Sequence, residues 1–104
     1  MKYYFPEHEE VVEPLADLKV MMDTIKLSMD IPGVEKKNLE LKVSEKTVIV
    51  RAFAIIGKRN VHYYRRIDLP VEIDPDTVKA KLTAGVLEIT AKIKPKGFRE
   101  VAVE

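Results

Sequence analysis

Apolar side chains at every second position constrain the fold of this chain more than any other feature of its sequence. Residues 25–31 (IKLSMDI), 39–43 (LELKV) and 87–93 (LEITAKI) all show this alternation. Successive side chains of a β-strand point to opposite faces, so each run has one apolar face and one polar face. The best helical candidate, residues 11–22, contains Pro14 and lacks the 3.6-residue apolar period of an amphipathic helix. The pattern therefore predicts an all-β fold.

Short turn signals separate the alternating runs. Pro32-Gly33 ends one run. Residues 57–60 (GKRN) indicate a loop between a strand over 47–53, which is rich in β-branched residues, and a further strand over 61–69. Thr83-Ala84-Gly85 lies between two alternating runs, which predicts a hairpin. Six or seven short strands with such frequent turns are typical of a sandwich or a barrel.

The composition excludes several classes of function. Lys plus Arg (18) nearly balances Asp plus Glu (17), and a net charge of +1 argues against a nucleic-acid partner. No apolar run approaches the roughly 20 residues that span a bilayer, and the first residues become acidic too soon for a signal peptide. We therefore expect a soluble cytoplasmic protein with neither a membrane nor a nucleic-acid partner.

The chain also lacks the usual constellations of catalysis and metal binding. It has no cysteine and only two histidines, His8 and His62. Ser28 and Ser44 have no G-x-S-x-G context, and the carboxylates are spread evenly as outward alternates. The sequence therefore predicts no catalytic residue, no metal ligand and no cofactor, and we do not expect an enzyme.

Three segments in order resemble one protein family. Residues 80–87 (AKLTAGVL) are similar to the A-x-x-x-N-G-V-L signature of the α-crystallin domain in small heat-shock proteins. Residues 30–34 (DIPGV) and 63–70 (YYRRIDLP) resemble two further motifs of that domain. The resemblance implies an antiparallel immunoglobulin-like β-sandwich over residues 15–94, with an N-terminal arm over 1–14 and a C-terminal tail over 95–104. It also implies an ATP-independent chaperone (holdase) that binds partly unfolded client proteins and limits their aggregation.

The resemblance also implies sites for polypeptides. Val101-Ala102-Val103 resembles the I-x-I/V tail motif, which docks as an extended strand on a neighbouring dimer. We expect this motif, or a client, to bind a groove formed by Leu39, Leu41, Val43, Leu87 and Ile89. The signature turn comprises Gly85, Val86 and Leu87.

The same resemblance implies a homodimer or a larger homo-oligomer. Arg65 lies in a mostly apolar strand pattern, and an arginine there should pair with a carboxylate or lie at a subunit contact. The dimer interface is predicted to contain Arg65, Tyr63 and Val61. Client contacts in the arm are expected at Tyr3, Tyr4 and Phe5.

The sequence departs from the family pattern in three places. Residues 54–60 leave little length for the extra strand that many members exchange between subunits, so dimerisation by strand exchange and by pairing of the 61–69 edge both stay open. The arm is short, and Ala84 replaces the usual Asn before Gly85. The short loop and the short arm favour an alternative, a monomeric co-chaperone or adaptor domain of the CS type with the same sandwich.

Overall fold

A computed structural model describes residues 9–95 and 101–104 of the chain. The described residues form eight strands in two four-stranded sheets, in the orders β1-β6-β5-β4 and β2-β3-β8-β7. The strands are β1 (Glu9–Val12), β2 (Ala16–Val20), β3 (Thr24–Asp30), β4 (Leu39–Val43), β5 (Thr47–Ile56), β6 (Arg59–Asp68), β7 (Lys79–Thr83) and β8 (Val86–Lys92). Short 3₁₀ helices at Lys36–Asn38 and Pro75–Thr77 precede β4 and β7. The predicted all-β sandwich is confirmed.

The core lies between the two sheets and is built from the alternating side chains. The inward residues of β3 (Ile25, Leu27, Met29) and of β8 (Leu87, Ile89, Ala91) are buried, as are those of β5 from Val48 to Ala54. Complete burial of one such aliphatic side chain is worth about 1.5–3 kcal/mol. A shift of any of these strands by one residue would expose its apolar face, so the alternation also fixes the register.

Two strands have no clear signal in the sequence. The first, β1, lies within the predicted arm and pairs with β6 in parallel, whereas every other strand pair is antiparallel. Only Val12 of β1 is partly buried, so its four residues show little alternation. The second, β2, follows Pro14 and is an edge strand with three exposed residues. Edge strands that bury little apolar surface leave little pattern in the sequence.

The connection between β5 and β6 is shorter than the predicted loop. Ile56 pairs with Arg59, so only Gly57 and Lys58 form the turn. Ala54 continues the buried face of β5, which extends the strand beyond its predicted end at Phe53. Gly57 adopts φ +62°, a conformation that glycine accepts without a steric cost. A two-residue turn leaves no chain for an additional strand between β5 and β6.

The turn between β7 and β8 depends on its glycine for two reasons. Ala84 and Gly85 both have positive φ (48° and 77°), as in the type I′ turns that suit two-residue hairpins. A Cβ atom on Gly85 would lie 2.8 Å from the Cα atom of Pro32. The Gly85 carbonyl also accepts a hydrogen bond of 2.7 Å from the Ile31 N–H. The signature turn therefore has a structural role, and Leu87 beyond it is buried in the core.

This turn allows a test of stability in two directions. We expect Gly85→Ala to lower the free energy of unfolding by about 2 kcal/mol, because a side chain at positive φ costs roughly 1–2 kcal/mol and Pro32 must also move. Ala84→Asn should raise it by about 0.5 kcal/mol, since asparagine tolerates positive φ. Urea unfolding measures both changes, with Ala80→Asn on exposed β7 as the control. Equal stability of Gly85→Ala and the wild type would contradict this account of the turn.

Candidate polypeptide-binding edges

The strand order places two unpaired edges together on one side of the sandwich. Residues 13–15 join β1 to β2, which holds these two edge strands on the same lateral side. The other ends of the two sheets are β4 and β7, so these strands flank the opposite side. Neither β4 nor β7 has a second neighbouring strand within the described residues. Such edges present free backbone N–H and C=O groups to another chain.

Apolar side chains line the space between these two edges. Each is half-buried and packs against the core, and we call this set the β4–β7 groove: Leu39, Leu41, Val43, Val78 and Leu82. Three of these residues, Leu39, Leu41 and Val43, were predicted from the sequence. The groove can therefore offer backbone hydrogen bonds and apolar contacts to one extended segment, which is the chemistry of strand addition.

Leu87 and Ile89 occupy different positions from those predicted. They are 1% and 0% exposed, because β8 is an interior strand between β3 and β7. They lie opposite Leu82 and Ala80 of β7 and support the groove from inside the core. The surface positions belong instead to Val78 and Leu82. The alternation of residues 78–82 was visible in the sequence, but the position of this strand at a sheet edge was not.

Charged side chains flank the groove on the outer faces of both edges. Glu40 and Lys42 of β4 form an exposed ion pair with an N–O distance of 3.2 Å. On β7, Lys79 and Lys81 are exposed. Charged residues, lysine above all, limit uncontrolled pairing of sheet edges. The groove therefore combines an apolar floor with a charged rim.

On the opposite side, β1 covers part of the β6 edge. Residues 9–12 pair with Asn60–Tyr63, so the backbone of β6 is occupied there. The side chains of Val61 and Tyr63 are each 5% exposed and point into the core of their own chain. A dimer contact through these two side chains would require β1 to leave, and the dimer interface stays a prediction.

Arg65 and Tyr63 hold neighbouring segments within the same chain. The Arg65 guanidinium lies 3.0 Å from the Glu13 carboxylate and donates a hydrogen bond of 3.1 Å to the Pro14 carbonyl. Its Nε atom is buried without a hydrogen-bond partner among the described residues. The Tyr63 hydroxyl donates a hydrogen bond of 2.9 Å to the Pro32 carbonyl. Burial, and then the charge of Glu10, raises the pKa of this hydroxyl, which keeps it protonated as a donor.

The tail valines are free in this structure. Val101 and Val103 are 77% and 96% exposed, and residues 101–104 form no strand. The predicted client contacts Tyr3, Tyr4 and Phe5 lie outside the described residues, as do residues 96–100 of the tail. In this structure, the tail valines therefore do not pack against the β4–β7 groove.

Two other kinds of site are absent from the part of the chain that the structure describes. Among the described residues, no helix has the length and apolar character needed to cross a membrane. Over the same part of the chain, no cluster of three or more His, Asp or Glu side chains is arranged to hold a metal ion.

Solved structures show the same fold. Heat shock protein 16.0 from Schizosaccharomyces pombe superimposes with a TM-score of 0.74 at 19% identity, over 89% of this chain and 76% of that chain. HspA from Xanthomonas axonopodis gives a TM-score of 0.67 at 26% identity, over 83% of this chain and 96% of that one. At 19% identity, the similarity to heat shock protein 16.0 shows a shared fold and nothing more.

Sequence comparison identifies the family. A chloroplastic small heat shock protein from Oxybasis rubra is 28% identical over 91 residues, which is 82% of this chain and 45% of that protein. The chain thus spans less than half the length of this curated relative. The Hsp20/alpha crystallin family model matches residues 17–104, which include the sandwich from β2 onward and the tail valines. The chain therefore belongs to the Hsp20/alpha crystallin family.

Proposed function

We propose that this protein is an ATP-independent holdase of the cytoplasm that binds partly unfolded proteins and limits their aggregation. The observation that carries the proposal is the β4–β7 groove, where two unpaired sheet edges meet over half-buried apolar side chains. Membership of a chaperone family supports the same conclusion.

The proposed mechanism needs only surface complementarity. A partly unfolded protein exposes apolar side chains and unpaired backbone groups, which are the features that drive aggregation. An extended client segment adds to β4 or β7 through backbone hydrogen bonds, and its alternate side chains contact Leu41 and Leu82. Binding removes that segment from contact with other unfolded chains, so no nucleotide or cofactor is required.

The C-terminal tail is the proposed partner of the same groove between copies. Val101 and Val103 are separated by one residue, so they lie on one face when the tail is extended. Both are exposed and available to a neighbouring copy. Tail docking links copies into oligomers and competes with clients, so assembly and client binding are coupled.

For the dimer, edge pairing is favoured over strand exchange. The turn of Gly57 and Lys58 provides no exchanged strand, and β1 leaves the edge of β6 beyond Tyr63 uncovered. We propose that a dimer pairs through this part of β6, which carries Arg65. The same short turn also favours the second candidate, a monomeric co-chaperone or adaptor domain of the CS type.

Assembly separates the two candidates. We expect Val101→Ala/Val103→Ala to lower the molar mass of the wild-type assembly, because docking loses two apolar contacts. Size-exclusion chromatography with light scattering gives the mass, and Ala102→Ser, whose side chain points away from the groove, is the control. A monomeric wild type whose mass does not change with either variant would favour the adaptor.

Client binding is tested with a heat-aggregation assay on a model client, without ATP. We expect Leu41→Ser and Leu82→Ser to require about fivefold more protein for the same suppression of light scattering. Each variant loses roughly 1 kcal/mol of further apolar burial at a half-buried leucine. Lys42→Ser and Lys81→Ser, on the outer faces of the same strands, are matched controls. A wild type that fails to suppress aggregation, or controls as weak as the leucine variants, would exclude groove-based holdase activity.

A further inference from the structure

The strand β1 is held on β6 by little apolar burial. Glu9, Glu10 and Val11 are exposed, with Val11 at 76%, and only Val12 packs against the core. Apart from this contact and ion pairs, β1 is held only by its backbone pairing with residues 60–63 of β6. Elements with few buried apolar contacts open at a lower free energy than the rest of a fold. Another segment of suitable sequence can therefore compete for this edge.

Charge complementarity defines what such a segment must carry. Three cationic or ionisable side chains stand along β6 at intervals of three residues: Arg59, His62 and Arg65. Each lies near a carboxylate of the arm. Glu13 is 3.0 Å from Arg65, Glu9 is 3.9 Å from His62, and Glu10 forms an ion pair with Arg59. The β6 edge thus suits an extended segment with glutamates at its two ends.

The C-terminal tail repeats the pattern of the arm. Residues 9–13 read EEVVE, and residues 100–104 read EVAVE. Both segments have glutamate at the first and fifth positions and valine at the fourth. The tail differs at the second position, where valine replaces glutamate, and at the third, where alanine replaces valine. In the register of β1, Val101 and Val103 would lie opposite Val61 and Tyr63. A strand in this register would place two valines on the face where β1 carries Glu10, which is exposed, and Val12.

We propose that residues 100–104 of a second copy bind the β6 edge in place of β1, parallel to β6 and in the register of β1. Val103 takes the position of Val12, and Glu104 takes the position of Glu13 beside Arg65. The Glu10–Arg59 ion pair is lost, and the additional apolar contact of Val101 compensates. This site lies on the side of the sandwich opposite to the β4–β7 groove. The C-terminal tail would then have two binding sites on a neighbouring copy.

The length of the chain assigns the tail to a second copy. Lys94 lies at the far end of β6, where its N–H bonds to the Glu72 carbonyl and its ammonium lies 3.4 Å from Glu45. The parallel register requires residue 100 beside Asn60, about 26 Å away along the strand at roughly 3.3 Å per residue. Six residues of fully extended chain reach at most about 22 Å. A tail cannot bind its own β6 in this register, but the tail of a second copy can.

Cysteine trapping tests the proposal, because the chain has no cysteine of its own. A copy carrying Ala102→Cys is mixed with a full-length copy carrying His62→Cys, and disulfide-linked heterodimer is measured under mild oxidation. The proposed register places these two residues side by side, so linkage should exceed that to exposed Lys19→Cys by at least fivefold. Lys42→Cys on β4 reports tail docking in the β4–β7 groove.

Variants of the arm and the tail make the test specific. Val12→Asp in the His62→Cys copy should raise linkage severalfold because it weakens β1, whereas Val11→Asp, at the exposed neighbouring position, should not. Thermal unfolding verifies that both variants keep the sandwich. Glu104→Lys in the tail copy should lower linkage to His62 at least threefold and leave linkage to Lys42 unchanged.

Two results would overturn the inference. Linkage to His62 no greater than to Lys19 would show that the tail does not bind the β6 edge. Equal effects of Val12→Asp and Val11→Asp would show that β1 and the tail do not compete. In either case, disulfide linkage to the Lys42→Cys copy would still support tail docking in the β4–β7 groove. Failure of this inference is therefore distinct from failure of the proposed function.

Discussion

The arrangement of both sheets depends on the close contact between Gly85 and Pro32. Pro32 follows β3, and Gly85 forms the turn between β7 and β8, so the contact ties these strands together at one end. The Pro32 carbonyl accepts the Tyr63 hydroxyl from β6 in the other sheet. A substituent at Gly85 would separate these backbones, because no Cβ atom fits within 2.8 Å of Pro32. The position of one sheet on the other thus depends on a residue without a side chain.

Once the sheets are fixed in this way, the two lateral sides of the sandwich acquire different properties. On one side, β4 and β7 stay unpaired and expose a groove of half-buried apolar residues. On the other side, β1 covers part of β6 through backbone hydrogen bonds and exposed ion pairs. Exposed ion pairs contribute little to stability, so this cover is easier to remove than any strand of the core. The two sides therefore differ in how readily an extended segment reaches the edge of a sheet.

The sequence predicted well the strands that pack an apolar face against the core, because burial imposes alternation on them. β3, β4 and β8 appear close to their observed bounds, and the groove residues Leu39, Leu41 and Val43 follow from β4. It did not predict β1, which buries little apolar surface, and it placed Leu87 and Ile89 in the groove, whereas both are buried in the core. Alternation tells which side chains turn inward, but the same pattern is compatible with an edge strand and with an interior strand. Strand order is a property of long-range pairing, and no local pattern encodes it.

By itself, the sequence determined that the chain is all-β, where its turns lie and, through three ordered motifs, which family it resembles. These are local properties, since side-chain periodicity and turn chemistry act over a few residues. Only the tertiary structure decided that β4 and β7 are the open edges, that Val78 and Leu82 complete the groove, and that Arg65 binds the link after β1. Each of these depends on residues distant in sequence that meet when the two sheets pack, which no alternating pattern can specify.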